Sequence, residues 1–209
     1  MEQNTEQMKL RKYELIKVLS NLENQNKRNV YFEQYSTDVD IAVDILYTAF
    51  KDIVGRDVAD FGCGNGIFSI GLSIMNAKKV YCVEMNNIIE IARKNANNLN
   101  LQNIEFLKSD VEKFDLNVDT VIMNPPFGYR NRGLDMKFFN SAMKNSDNIY
   151  FLYTSRGEDH LKKVFGNYMM KDFSIYRIKN YKLMIPFSYA FHEKVKKYID
   201  VSLYLAKVI

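Results

Sequence analysis

From residue 57 onward, short apolar runs of strand character alternate with stretches of helical periodicity, and this alternation restricts the fold more than any other feature. "DVADF" precedes a glycine-opened helix, "GNGIFSIGLSIM", and "KVYCVE" precedes the helix "NIIEIARKNANNL". "IEFLKSD" and "DTVIMN" follow as third and fourth strands, then the helix "LDMKFFNSAMKN". A fifth run, "NIYFLYTS", leads into the helix "EDHLKKVFGNYM". Parallel strands need crossover connections, so this order predicts a doubly wound, mostly parallel sheet with helices on both faces. The last two runs, "FSIYRIKNYKLMI" and "YIDVSLYLAKV", have no helix between them. They are expected to pair antiparallel as a C-terminal hairpin at one edge of a seven-stranded α/β sheet.

Residues 1–50 read as an N-terminal helical extension of a single domain covering 1–209, with the α/β core over 51–209. Over residues 5–23, Met8, Leu10, Tyr13, Ile16, Leu19 and Leu22 recur near helical spacing. "NQNKRNVYFEQYST" reads as a loop, after which Thr37 or Asp38 caps a helix with Ile41, Ile45, Leu46 and Phe50 on its inner face. No run reaches membrane-spanning length, and the charged N-terminus does not resemble a secretory leader, so a cytoplasmic protein is expected. Cys63 and Cys82 are too few for a disulfide framework and read as reduced, small apolar side chains. With only two His residues, no metal site is expected. The net charge of +4 is compatible with an RNA partner without demanding one.

The turn "DFGCGNG" joins the first core strand to its helix, and Gly62, Gly64 and Gly66 let the backbone approach a ligand closely. Asp60 precedes the turn, Glu84 ends the second strand and Asp110 is read as ending the third. An acid at the second strand tip suits a ribose diol. Asp110 suits an adenine amine, and Asp60 a cationic amino-acid group. Carboxylates repel pyrophosphate, so three acids here favour S-adenosylmethionine over a nicotinamide or flavin nucleotide.

The fourth run ends in "VIMNPPFG", at the side of an open α/β sheet where ligands bind. Pro125 and Pro126 stiffen the exit from the strand and fix the direction of their carbonyls. Asn124 adds a side-chain acceptor, and Phe127 a flat face for a planar ring. Two acceptors gripping the N–H bonds of an exocyclic amine would localise its lone pair. The same acceptors would stabilise positive charge growing on nitrogen during methyl transfer.

In this order "DFGCGNG", "VE", "SDV" and "NPPFG" resemble the amino methyltransferases that modify nitrogen on bases or on protein glutamine. "FEQYST", "NPPFGYRNRGLDMKFF" and "IPFSYAFHEK" sharpen the resemblance to the methyltransferase-like enzymes that make N6-methyladenosine in small-subunit ribosomal RNA. That resemblance implies a Rossmann-like fold, S-adenosylmethionine as cofactor, and a ribosomal RNA substrate. Gln34, Tyr35 and Thr37 would line the cofactor from the N-terminal side, and Gly62, Gly64, Asn65 and Ile67 from the glycine loop. Asp60 joins this cofactor set, Glu84 would hold the ribose, and Asp110 with Val111 the adenine. Asn124, Pro125, Pro126 and Phe127 would be the methyl-acceptor site. Relatives in eukaryotes and archaea rely on a small zinc-binding activator subunit that pairs with a sheet edge, which implies a heterodimer. Ser36 stands where proline is usual, Glu84 where Asp is commoner, and the loop "YRNRG" is one residue shorter than in animal relatives.

Arg130, Arg132, Lys137 and His192 are candidates for RNA contact, with Tyr189 and Phe191 as a frame for the target base. Lysines near the C-terminal strands, Lys179 and Lys182 among them, read equally well as a solvated face. The apolar run "NIYFLYTS" suggests a surface that a partner would cover. Protein glutamine N5-methylation and guanine N2 methylation of RNA use similar strand-end geometry and stay open as alternatives, as does a non-catalytic binding protein.

Overall fold

The computed structural model describes residues 2–24, 37–127, 133–186 and 196–209. Seven strands form one sheet: β1 (Asp57–Phe61), β2 (Lys79–Glu84), β3 (Ile104–Lys108), β4 (Val118–Met123), β5 (Ser146–Thr154), β6 (Phe173–Pro186) and β7 (Lys196–Val208). Their order is β3-β2-β1-β4-β5-β7-β6. The first five strands are mutually parallel, and β7 pairs antiparallel with both β5 and β6. This is the expected sheet, with the hairpin at one edge and its second strand tucked inside.

Among the described residues, six α-helices accompany the strands: α1 (Glu2–Ser20), α2 (Val39–Thr48), α3 (Ile67–Ile74), α4 (Ile89–Asn98), α5 (Leu134–Asn145) and α6 (Glu158–Gly166). α3 connects β1 to β2 and α4 connects β2 to β3, winding one way. α5 connects β4 to β5, winding the other way. Right-handed crossovers therefore put α3 and α4 on one face and α5 on the opposite face. α1 and α2 pack with α3. Where α2 meets α3, a Cβ on Gly71 would come within 2.3 Å of Leu46 Cδ1, so any larger residue would require Leu46 to shift. None of the described helices is long and apolar enough to cross a membrane.

Several local expectations change. Of the two cap candidates for α2, Asp38 is the one that caps, as its side chain accepts from the Asp40 N–H. Phe50 lies beyond that helix in a short 3-10 turn and is 48% exposed; Ala42, Val43 and Ala49 fill the inner face with Ile41, Ile45 and Leu46. On α1, Tyr13 is exposed and Leu15 is buried in its place beside Leu19. The run "NIYFLYTS" needs no partner, because β5 lies between β4 and β7 with Ile149 to Tyr153 buried. Phe151 packs there against Phe139 (5.1 Å between ring centroids), Phe165 and Tyr204 (both 5.6 Å). Cys63 and Cys82 are joined in a disulfide, with 5.5 Å between their Cα atoms, not held as separate thiols. Strand register explains the pairing: Cys82 lies beside Asp60, and the chain leaving β1 carries Cys63 back over β2.

Asp44 of α2 ties three distant segments together. It accepts from Lys12 Nζ of α1 (3.0 Å) and from Lys179 Nζ (2.6 Å) and Tyr181 OH (2.7 Å) of β6. Burial pushes its pKa up, but the three donors outweigh burial and hold the carboxyl at about 2, below its ordinary 3.8. A folded pKa below the unfolded one contributes stability that is present above the unfolded value and lost as pH falls through the folded one. Asp44→Asn is therefore expected to lower the unfolding free energy at neutral pH by about 2 kcal/mol. In urea titrations followed by circular dichroism, the gap between variant and wild type should narrow as pH drops from 3.8 toward 2.

Candidate active site

The winding of the sheet reverses between β1 and β4, which are adjacent and parallel. Helices depart to opposite faces there, and the crevice outside the carboxyl ends of the two strands is where such sheets bind ligands. The glycine loop leaves β1 at this point. Gly62, Gly64 and Gly66 all take positive φ, 72°, 56° and 88°. The Gly62 and Cys63 N–H groups both donate to the Val83 carbonyl (2.8 and 3.2 Å), folding the loop over the end of β2. At Gly64 an added Cβ would meet nothing closer than 4.0 Å, which leaves open space beside the turn. At Gly66 it would come within 3.0 Å of Ala92 on α4, so this glycine serves helix packing. Ile67 opens α3 and is buried.

The three acids occupy different environments. Asp60 is 1% exposed and turned beneath the loop, where one oxygen accepts from both the Ser69 N–H (2.9 Å) and the Ser69 hydroxyl (2.6 Å) of α3. Its hydrogen bonds thus anchor the start of α3 to β1. Burial raises its pKa to about 7; the Ser69 bonds oppose that shift and the charge of Glu84 adds to it. Glu84 ends β2 as expected. One oxygen accepts from the Asn86 backbone and side chain (both 2.9 Å), and the other faces the Gly64 N–H at 3.4 Å. Asp110 lies two residues beyond the end of β3, not at it, and caps a 3-10 turn (Val111–Lys113) by accepting from the Glu112 N–H at 3.0 Å. The Val111 carbonyl behind it accepts from Ser141 of α5 at 2.6 Å.

Asn124, Pro125, Pro126 and Phe127 directly follow β4, on the far side of β1 from Glu84. Asn124 Nδ2 donates to Thr37 Oγ1 at 3.1 Å. Phe127 is buried edge-on to Tyr153 (centroids 6.2 Å, 82°). The Tyr153 hydroxyl donates to the buried Asp135 carboxylate at 2.8 Å, and His160 stacks on its ring. Lys137 of α5 pairs with Glu112 and lies 3.9 Å from Asp110. Gln34, Tyr35, Arg130, Arg132, Tyr189, Phe191 and His192 lie outside the described residues.

Asn65 turns toward the N-terminal extension: its Nδ2 donates to Asn24 Oδ1 (2.7 Å) and to the Glu23 carbonyl (3.4 Å). Asn95 of α4 completes this clamp, accepting from the Glu23 N–H (2.9 Å) and donating to the Glu23 and Asn65 carbonyls (both 3.1 Å). Glu23, Asn24 and Asn95 were not singled out from sequence. Asn95 did carry a signal, because it falls on the same helical face as Ile89, Ala92 and Ala96, where an unpaired amide would be costly.

Residues 22–171 match the family Methyltransferase small domain. The chain is 33% identical to the zebrafish (Danio rerio) rRNA N(6)-adenosine-methyltransferase METTL5, over 93% of this chain and 95% of the relative. It is 28% identical to Drosophila melanogaster rRNA N(6)-adenosine-methyltransferase Mettl5, over 93% and 94% respectively. Among solved structures, Pyrococcus horikoshii PH1948 superposes with a TM-score of 0.85 at 31% identity, covering 95% of this chain and 98% of the other.

Asp60 supplies a test of the loop's electrostatics. With its pKa raised from 3.8 to about 7, the folded state keeps a proton that the unfolded chain has lost, so stability declines as pH rises across that interval. Asp60→Asn keeps an acceptor for Ser69 and removes the ionisation. The variant should show a flatter profile of unfolding free energy between pH 4 and 7 than the wild type. An unchanged slope would mean that Asp60 titrates normally.

Proposed function

The chain belongs to the methyltransferase small domain family and is an S-adenosylmethionine-dependent methyltransferase, and on that premise we propose that its acceptor is the N6 nitrogen of an adenosine in small-subunit ribosomal RNA. One observation carries the reading: the Asn124–Phe127 acceptor motif closes β4 beside the glycine loop, where the winding of the sheet reverses. The names of two relatives that match across 93% of the chain support adenosine in ribosomal RNA over the guanine and glutamine alternatives.

The residues present fit the cofactor. Open space beside Gly64 leaves room for a bulky group against the backbone, and Glu84 on one side and Asp110 on the other suit a ribose and an adenine. Gly62, Asn65, Ile67, Gln34, Tyr35 and Thr37 complete the proposed lining. When bound, S-adenosylmethionine would supply an electrophilic methyl group, whose bond to sulfur breaks as the bond to nitrogen forms, leaving the neutral thioether S-adenosylhomocysteine. Asn124 Oδ1 and the Pro125 carbonyl are assigned the two N–H bonds of the adenine N6. Their pull concentrates the lone pair on nitrogen and stabilises the charge that develops as the new N–C bond forms. The proton is acidic at that stage and leaves to solvent without a strong base. Pro126 holds the turn rigid, and Phe127 presents its ring to the base while Tyr153 supports its edge. The target adenosine must be unpaired or flipped out to reach this point.

Arg130, Arg132, Lys137 and His192 are proposed to contact RNA phosphates, positioning the substrate without reading its sequence. A small activator subunit is proposed as partner. The sheet ends in two edge strands, β3 and β6, either of which can accept an added strand.

The test is methylation of small-subunit ribosomal RNA with labelled methyl donor, followed by nucleoside analysis. Label in N6-methyladenosine is expected; label in another nucleoside, or only in protein glutamine, overturns the assignment. Asn124→Ala should reduce kcat about 100-fold while the Kd for S-adenosylmethionine, measured by calorimetry, stays within about twofold.

A further inference from the structure

We infer that Asn95 is a positioning residue for cofactor binding: its buried amide joins the glycine loop to the N-terminal segment, so that ordering of that segment and affinity for S-adenosylmethionine rise together. The inference rests on the reading of the glycine loop as the cofactor site, and it adds a residue outside the proposed lining.

Asn65 stands between Gly64 and Gly66 and is held through both its backbone and its side chain. Its carbonyl accepts from Asn95 Nδ2 at 3.1 Å. Its own Nδ2 donates to Asn24 Oδ1 (2.7 Å) and to the Glu23 carbonyl (3.4 Å). Asn95 closes the circuit by accepting from the Glu23 N–H at 2.9 Å and donating to the Glu23 carbonyl at 3.1 Å. These three partners of the Asn95 amide are all backbone groups. A backbone N–H only donates and a carbonyl only accepts, so together they admit one orientation of the amide.

The surroundings make these bonds count. Asn95 is 3% exposed, so water is a poor substitute for the donor that the Asn65 carbonyl would lose. One turn earlier on α4, Ala92 already lies against Gly66, so the helix meets the loop by packing at one residue and by hydrogen bonding at the next. Lys94 pairs with the Glu23 carboxylate at 2.5 Å, but that pair is exposed and contributes little. A glycine-rich turn samples many conformations unless something restricts it. Fixing Asn65 restricts the turn in which the Gly64 N–H faces Glu84 at 3.4 Å. A ligand that needs one conformation of this loop favours the clamped state, and by linkage the clamped state favours the ligand.

The experiment starts with Asn95→Ala, which should raise the Kd for S-adenosylmethionine about tenfold by calorimetry, the scale of one or two neutral hydrogen bonds. The loss should appear in Kd and KM and not in kcat at saturating cofactor and RNA, because the Asn124 turn is untouched. Asp44→Asn loosens α1 and α2 from β6 without touching the loop, so it controls for general destabilisation and should leave the Kd within about twofold. In the wild type, saturating S-adenosylmethionine should slow hydrogen exchange at the Glu23 N–H about tenfold, the reciprocal of the same coupling. That measurement needs no variant and decides the matter even if Asn95→Ala does not fold. The inference is overturned by an unchanged Kd in Asn95→Ala, by an equal rise in Asp44→Asn, or by unchanged exchange at Glu23. Glu84→Ala separates the two levels. A weaker Kd there beside an unchanged one in Asn95→Ala overturns the inference alone, whereas an unchanged Kd in Glu84→Ala overturns the reading of the loop as the cofactor site.

Discussion

Everything at this site depends on β1 having parallel neighbours on both sides, β2 and β4, with helices that leave in opposite directions. Had the winding continued one way, the glycine loop and the β4 tip would each be roofed by a crossover helix. Reversal opens a crevice at one place only and aims the carboxyl ends of adjacent strands into it. The glycine loop can then fold over β2 onto the Val83 carbonyl while Asn124 emerges on the other side. The glycine loop and the β4 tip converge because the topology aims both at the same crevice.

Within that crevice, burial sorts side chains of the same type into different tasks. Asp60 and Glu84 both carry carboxylates close to the loop, and both are largely buried. Asp60 is satisfied from within by Ser69 and supports the first turn of α3. Glu84 is braced by Asn86 on one oxygen and directs the other toward the Gly64 N–H at the open part of the turn. The first acid supports the loop from beneath, and the second braces its open part. Asp110 shows the same logic in weaker form, since capping the 3-10 turn fixes its side chain while Ser141 secures the backbone behind it.

Much of this was legible in the sequence, for a physical reason. Strand and helix periods, glycine turns and strand-tip residues are local signals, and in a doubly wound sheet local order determines which tips converge. The seven strands, the edge hairpin, Glu84 and the Asn124–Phe127 turn all belong to this class. What escaped depends on tertiary direction. Asp60 and Asn65 sit in the expected positions, but their side chains point inward and toward the extension, and spacing alone does not reveal orientation. The Cys63–Cys82 disulfide depends on how a turn folds over a neighbouring strand, which 19 intervening residues do not disclose. Phe50 and Tyr13 fit a helical stripe by count but fall on exposed ground once packing is complete. The bulk of "NIYFLYTS" looked like surplus apolar surface because the antiparallel β7, which covers one side of it, arrives last in the chain.

The same distinction changes what the N-terminal extension is. By sequence, residues 1–50 are an appendage to a complete α/β core. In the structure they enter the site at two points from outside the sheet. Glu23 and Asn24 hold the glycine loop through Asn65 and Asn95, and Thr37 takes the donor end of the Asn124 amide. Asp44 then fastens α1 and α2 to β6, at the opposite edge of the sheet from β3. A core alone can present a glycine loop and a strand tip, because both follow from strand order. Both are conformationally soft, since the loop is rich in glycine and an amide side chain rotates readily. The extension adds one contact to the glycine loop and one to the β4 tip. Because α1 and α2 pack against each other and against α3, the segments that make these two contacts adjoin one packed helical layer.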